Sequence, residues 1–203
     1  AACASAALLA ACGSSTTESA ITPQRFIAFG DAMNDVGQNG SRYTVNDGSV
    51  NNWTLQVVAN YGKSLTPVSA GGLSYATGNA RVSAKPDAAG NASTRTVTEQ
   101  IDAFLASGSF AATDVVMVSG GVSDVIAGMA AVNAGTLTQD AMVAAARKAG
   151  EDLAAQVRRL VTAGAKYVVV TGTYDLSKTP WAKAIGREAL LSNASSRFNE
   201  GLL

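Results

Sequence analysis

Apolar and polar positions along the chain alternate between two kinds of segment. Arg25 to Phe29 is a short aromatic-rich run ending at Gly30, which predicts a central, mostly buried strand. Trp53, Val57, Val58 and Tyr61 fall at helical spacing and Gly62 follows as a stop, predicting a short helix against one side of a sheet. Thr96-Val97-Thr98-Glu99 has the spacing of a capping box, and Val97, Ile101, Phe104 and Leu105 form one apolar face before Gly108. Asp114 leads into Val115-Val116-Met117-Val118, a continuous apolar run bounded by Ser119-Gly120-Gly121, the pattern of a strand buried on both faces. Met142, Ala146, Ala149, Leu153, Val157, Leu160 and Val161 hold helical spacing over several turns to Gly164, and Lys166 to Thr171 reads as another buried strand.

Strands alternating with longer helices imply an α/β fold: a three-layer α/β/α sandwich around a mainly parallel sheet with right-handed crossovers. Such sheets place their chemistry at the carboxyl ends of the strands. The glycine-rich loops at Gly30, Gly78 and Gly120-Gly121 are expected to gather at that edge.

With 203 residues and 47% hydrophobic side chains, the chain can bury one substantial core. Lys+Arg and Asp+Glu stand at 15 each with no long run of either sign, so there is no basic stripe for nucleic acid. The first twelve residues, Ala1 to Cys12, are small and apolar and too short to span a bilayer. They read as a truncated signal peptide, and Leu9-Ala10-Ala11-Cys12 is similar to a bacterial lipobox, in which the cysteine is acylated. Residues 13–24 are Ser/Thr-rich and read as a tether, with the folded domain over 25–203. The expected location is the bacterial envelope, lipid-anchored through Cys12 at the outer membrane, or else periplasmic or secreted. Cys3 would leave with the signal, so no intramolecular disulfide is expected.

Three short motifs carry the chemistry. They are Phe29-Gly30-Asp31-Ala32-Met33-Asn34-Asp35, Tyr75-Ala76-Thr77-Gly78-Asn79-Ala80-Arg81 and Gly121-Val122-Ser123-Asp124. Their content and order resemble the blocks of the GDSL-type SGNH hydrolases, secreted esterases and lipases. Gly164 to Val170 with Pro180, and Phe198-Asn199, are similar to later segments of that family. The resemblance implies the flavodoxin-like SGNH fold, an ester substrate in the form of a lipid, an acylated glycan or a small ester, and no metal or organic cofactor. It also implies a nucleophile position at Ala32 and oxyanion positions at Gly78 and Ser123, the last where the family has Asn. The family's Asp-x-x-His pair lies beyond the Phe-Asn helix, so the resemblance places it past Leu203 and the domain reads as incomplete there.

Ala32 has no oxygen with which to attack a carbonyl, and the sequence holds no His. Loss of such a nucleophile costs about 10⁶-fold in turnover in a serine protease. Losing one oxyanion donor costs about 10² to 10³. Plainer roles stand beside the functional ones. Asp31 and Asp35 suit turns, Gly78 suits a positive φ, and Ser123 and Asp124 suit helix caps. The expectation is an ester hydrolase homologue, inactive or impaired as written. Two alternatives stay open: an active esterase in which alanine at position 32 is a replacement, and a non-catalytic ester-binding, glycan-binding or scaffold lipoprotein.

Overall fold

A computed structural model describes residues 20–44 and 49–203. Cys12, the leader over 1–12 and most of the tether lie outside the described residues. The tether's last residues lie on the body: Ile21 packs against Phe26 and its neighbours, Pro23 is buried, and the Gln24 N–H donates to the Thr113 carbonyl.

Among the described residues the sheet has three parallel strands in the order β1 (Phe26–Phe29), β2 (Val115–Ser119) and β3 (Tyr167–Thr171). Phe26 pairs with Val115 and Val115 with Tyr167, so the carboxyl ends of the strands lie together. Alternation along the two buried strands divides the apolar side chains between two cores. Ile27, Phe29, Val116 and Val118 face one, packed with side chains of α2 (Val97–Leu105), α3 (Val122–Asn133), α4 (Gln139–Thr162) and α6 (Glu188–Leu202). Phe26, Ala28, Val115 and Met117 face the other, against Val58 of α1 (Trp53–Asn60) and Leu65. Helices thus lie on both sides of the sheet, the three-layer arrangement expected from the order of the elements.

Local chemistry explains where the helices begin. Asn52 caps α1 by accepting the Leu55 N–H at 3.0 Å. Thr96 accepts the Glu99 N–H while the Glu99 carboxylate accepts the Thr96 N–H, so the capping box forms in both directions. Thr138 caps α4, and Thr179 caps α5 (Pro180–Ile185), whose first residue needs no N–H partner because it is proline. Small residues at Ala146, Ala149, Gly150 and Ala194 let α4 and α6 approach closely.

The expectation for β3 needs correction. Among the described residues it pairs with β2 alone, and its residues are half-buried or exposed rather than buried. Val168 and Val170 pack against the larger core, but Tyr167 (39%) and Val169 (43%) point from the opposite face into solvent. Apolar runs of this length occur on edge strands as well as central ones, so composition does not separate the two.

One ion pair secures the entry to the sheet. Arg25, just before β1, donates through Nε and Nη2 to the two carboxylate oxygens of Asp114, just before β2, at 3.0 and 2.6 Å. Asp114 also accepts the Ala111 N–H at 2.7 Å. Burial pushes the Asp114 carboxyl up, and these donors outweigh it and hold the group below its usual range. A depressed carboxylate stabilises the fold above its unfolded pKa, and that stabilisation is lost as pH falls through the folded value. Asp114→Asn should therefore cost about 1.5–3 kcal/mol at neutral pH. Urea unfolding should show the gap from the parent narrowing in acid; an equal gap at both pH values would contradict this role.

Candidate functional site

The turn that follows β1 is held by its own backbone and by buried polar side chains. Asp31 Oδ1 accepts the Met33 N–H at 3.1 Å, and the Asp31 carbonyl accepts the Asn34 and Asp35 N–H groups. The Asn34 amide donates to the Phe29 carbonyl at 2.9 Å and accepts the Thr54 hydroxyl of α1. Asn52 also donates to the Asp35 carbonyl, so the start of α1 buttresses the turn. Ala32 stands at the head of this arrangement, half-buried, and its N–H has no acceptor among the described residues.

A second set of bonds joins this turn to β2 and α2. Gly30 adopts φ 136°, a conformation unfavourable for any residue with a Cβ, and a Cβ there would also collide with Ser119. That contact lets the Ser119 hydroxyl donate to Asp31 Oδ1 at 2.8 Å and accept the Asp31 N–H at 3.2 Å. Gln100, fully buried on the apolar side of α2, accepts the Gly30 N–H at 2.8 Å and donates back to the Gly30 carbonyl at 2.9 Å. Asp31 Oδ2 is buried without a hydrogen-bond partner among the described residues. Burial raises the Asp31 carboxyl, against the opposing bonds from Ser119 and Met33.

Gly78 reaches the same edge because the Thr77 N–H donates to the Gly30 carbonyl at 3.0 Å. Its own N–H donates to Asp35 Oδ2 at 2.7 Å, a buried bond that gives the proposed oxyanion donor an acceptor already. The positive φ expected at Gly78 lies instead at Asn79, at 65°. Gly78 is covered by the ring of Tyr43, whose hydroxyl a Cβ at this position would displace. Asp35 therefore does more than shape its turn. Oδ1 accepts the Gly37 and Gln38 N–H groups, both at 2.8 Å, while Oδ2 binds the second motif to the first.

Ser123 lies in the first turn of α3 directly after β2 and is almost fully buried. It does not cap the helix: Gly121 occupies the N-cap position, with no side-chain cap. The Ser123 hydroxyl has no hydrogen-bond partner among the described residues, and it lies where the helix dipole favours negative charge. Asp124 is not a cap either. It reaches sideways to accept the Val82 N–H at 3.0 Å and to pair with Arg81 at 3.3 Å, fastening the second motif to the third. Ala32, Gly78 and Ser123 are thus carried to one edge by motifs that are hydrogen-bonded to each other. Phe198 and Asn199 have structural roles. Phe198 packs in the core, while Asn199 accepts the Thr173 N–H and donates to the Thr173 carbonyl, pinning the loop after β3.

Sequence reading did not find Gln100, Ser119 or Tyr43. Gln100 left a trace, a polar residue inside the apolar stripe of Val97, Ile101 and Phe104. Ser119 reads as a strand terminus and Tyr43 as loop. No group of His, Cys, Asp and Glu suited to a metal ion occurs among the described residues.

Burial raises the Asp124 carboxyl to about 6, against the Val82 N–H and Arg81, which pull it down, with the Asp31 charge adding to the rise. A raised carboxyl favours the folded state in its protonated form. That contribution is complete below the unfolded value and lost as pH rises through about 6. NMR of the Asp124 carboxyl carbon should show a midpoint near 6. A midpoint below about 4.5, close to an ordinary Asp, would contradict the burial described for it.

The profile of the GDSL-like Lipase/Acylhydrolase family matches residues 26–203. No match was found among curated proteins. The matched span begins with β1, ends at Leu203 and contains the three motifs at the sheet edge. The chain belongs to the GDSL-like lipase/acylhydrolase family, a family of ester hydrolases.

Proposed function

We propose that this protein is an ester hydrolase homologue whose covalent step is silent, so that its site holds an ester without cleaving it. The observation that carries the reading is Ala32 at the head of a turn held in place by bonds from other residues, Asp31 Oδ2 alone being buried without a partner among the described residues. Asp31, Asn34, Asp35, Ser119 and Gln100 maintain the geometry, and the one group missing there is the attacking oxygen. A carbonyl oxygen at this edge would meet the open Ala32 N–H, the Ser123 hydroxyl and the N-terminus of α3, which suffices for polarising and binding an ester. Covalent acyl transfer would also need a general base, and no His stands among the described residues at this edge. The capture of the Gly78 N–H by Asp35 favours the second reading, a scaffold that holds no ester.

The same proposal places the protein at the bacterial envelope, tethered by an acyl group on Cys12 through residues 13–24. The lipobox-like Leu9-Ala10-Ala11-Cys12 supports this. Radiolabelled palmitate should enter the protein expressed in bacteria with its leader, and Cys12→Ser should abolish the label; labelling that survives the substitution would remove Cys12 as the anchor.

With p-nitrophenyl acetate, the chain as written should react at the buffer rate. Ala32→Ser alone should gain less than about tenfold, because nucleophile and base act as a unit. Phenyl acetate should nonetheless shift the amide NMR signals of Ala32 and Ser123. Turnover by the Ala32 form would overturn the silent reading, and a larger gain in Ala32→Ser would reveal a base other than His. Unshifted amides at both positions would leave the scaffold.

A further inference from the structure

Beside the turn lies an open cleft of about 360 Å³, within the size range of small-molecule sites. Its lining includes Tyr75 and Thr77, the latter immediately before Gly78, and Asn91, Ser93, Thr94 and Arg95 of the segment before α2. Its side chains are mainly amides and hydroxyls. A site for a long acyl chain would need an apolar wall, and the aliphatic side chain lining this cleft is that of Val68.

The cleft is built rigidly and is tied by backbone bonds to the first and second motifs. Asp87 organises the 87–94 loop. Its Oδ1 accepts the Ala89 and Asn91 N–H groups at 2.9 and 2.8 Å, and its Oδ2 accepts the Thr94 hydroxyl at 2.7 Å. The Ala88 N–H donates to the carbonyl of Asn79, next to Gly78. Gln100, which clamps Gly30, also donates to the Arg95 carbonyl at 3.2 Å. The backbone of the cleft's outer wall is therefore fixed to the first and second motifs.

Arg95 is exposed, and its guanidinium makes no ion pair or hydrogen bond among the described residues. The nearby carboxylate, Asp87, is buried and engaged by three donors. An unpaired guanidinium suits a carboxylate, which it can grip with two parallel N–H groups. The Asn91 side-chain NH₂ also makes no bond among the described residues, leaving it free to donate to a ligand hydroxyl, while Thr77 and Thr94 hydroxyl oxygens can accept. The Tyr75 ring, braced by Phe29 and Phe104 at centroid distances of 5.4 and 5.9 Å, supplies a rigid apolar surface.

We infer that this cleft binds an acidic sugar, a uronic acid unit whose carboxylate meets Arg95 and whose hydroxyls meet the surrounding amides and hydroxyls. In the proposed ester-binding frame, on which only this placement rests, that sugar is the alcohol side of the ester. The ligand class is thereby narrowed to an acylated acidic glycan.

The test is NMR and calorimetric titration of the full chain with a uronic acid disaccharide, a neutral disaccharide of the same linkage and hexanoate. The uronate should shift the amides of Thr77, Ser93 and Arg95 and bind more tightly than either control. Arg95→Gln, which keeps the backbone carbonyl that Gln100 uses, should weaken uronate about tenfold or more, the loss of a charge-assisted hydrogen bond. Asn91→Ala should weaken both disaccharides and leave hexanoate unchanged. Absence of uronate binding, equal binding of the neutral disaccharide, equal binding of hexanoate at the same amides, or an unchanged affinity in Arg95→Gln would each overturn the inference. The phenyl acetate titration separates the two readings. Uronate binding with no shift at Ala32 and Ser123 upholds the cleft and removes the ester frame, and the converse result removes the cleft alone.

Discussion

The approach of Gly30 to Ser119 is the constraint on which the rest of the site depends. Two parallel strands deliver their last residues to the same edge, and a side chain at position 30 would force them apart. Without one, the Asp31 N–H and carboxylate both reach the Ser119 hydroxyl, and the turn closes over β2. Gln100 then seals the other side of Gly30 from α2. A hydrogen bond of this kind contributes about 1 kcal/mol net, but an unmet buried partner costs more, so these groups hold one another in place. The positions of Ala32 and Gly78 follow from this knot, because Thr77 borrows the Gly30 carbonyl.

Buried carboxylates supply the longer connections. Asp35 joins the first motif to Gly78, Asp124 joins the third motif to Val82, and Asp114 joins the approaches to β1 and β2. Burying a carboxylate is costly unless donors surround it, and each of these is met by backbone N–H groups, by an arginine, or by both. The balance differs between them. At Asp114 the donors win and the charge is held. At Asp124 burial wins and the group is raised, despite Arg81. The same residue type thus fastens the entry of the sheet as an anion and its carboxyl edge as a group that protonates readily.

Much of this was legible in the sequence, for identifiable reasons. Helices with strong local signals, such as the Thr96–Glu99 box and the long stripe from Met142 to Val161, came out where their spacing placed them. The buried character of β2 follows from its unbroken apolar run. β3 misled because Tyr167 to Thr171 has the same composition, while its exposure depends on what packs beside it. At the site, the motifs named Ala32, Gly78 and Ser123, but motif spacing says nothing of who accepts a hydrogen bond. The use of Gly78 by Asp35 spans 43 positions and that of Gly30 by Gln100 spans 70, and only the fold brings such pairs together.

That a hydrolase turn survives around an alanine has a physical reason. Every bond that shapes the turn comes from backbone groups or from residues other than position 32, so the side chain there has no structural duty. A nucleophile must be exposed to its substrate and unencumbered by the protein, which makes it the member of the motif that can be removed with least effect on folding. Asp31 and Asp35 are in the opposite position: each closes several buried bonds, and losing either would leave donors unmet whether or not any ester is cleaved. Chemistry and architecture are therefore separable within seven residues, and retention of the frame is evidence about folding and binding rather than about turnover. The rigid polar cleft beside the turn bears on what remains. An arm fixed to the same knot through Asn79 and Gln100 would hold a sugar against the second motif whether or not an acyl group is ever transferred.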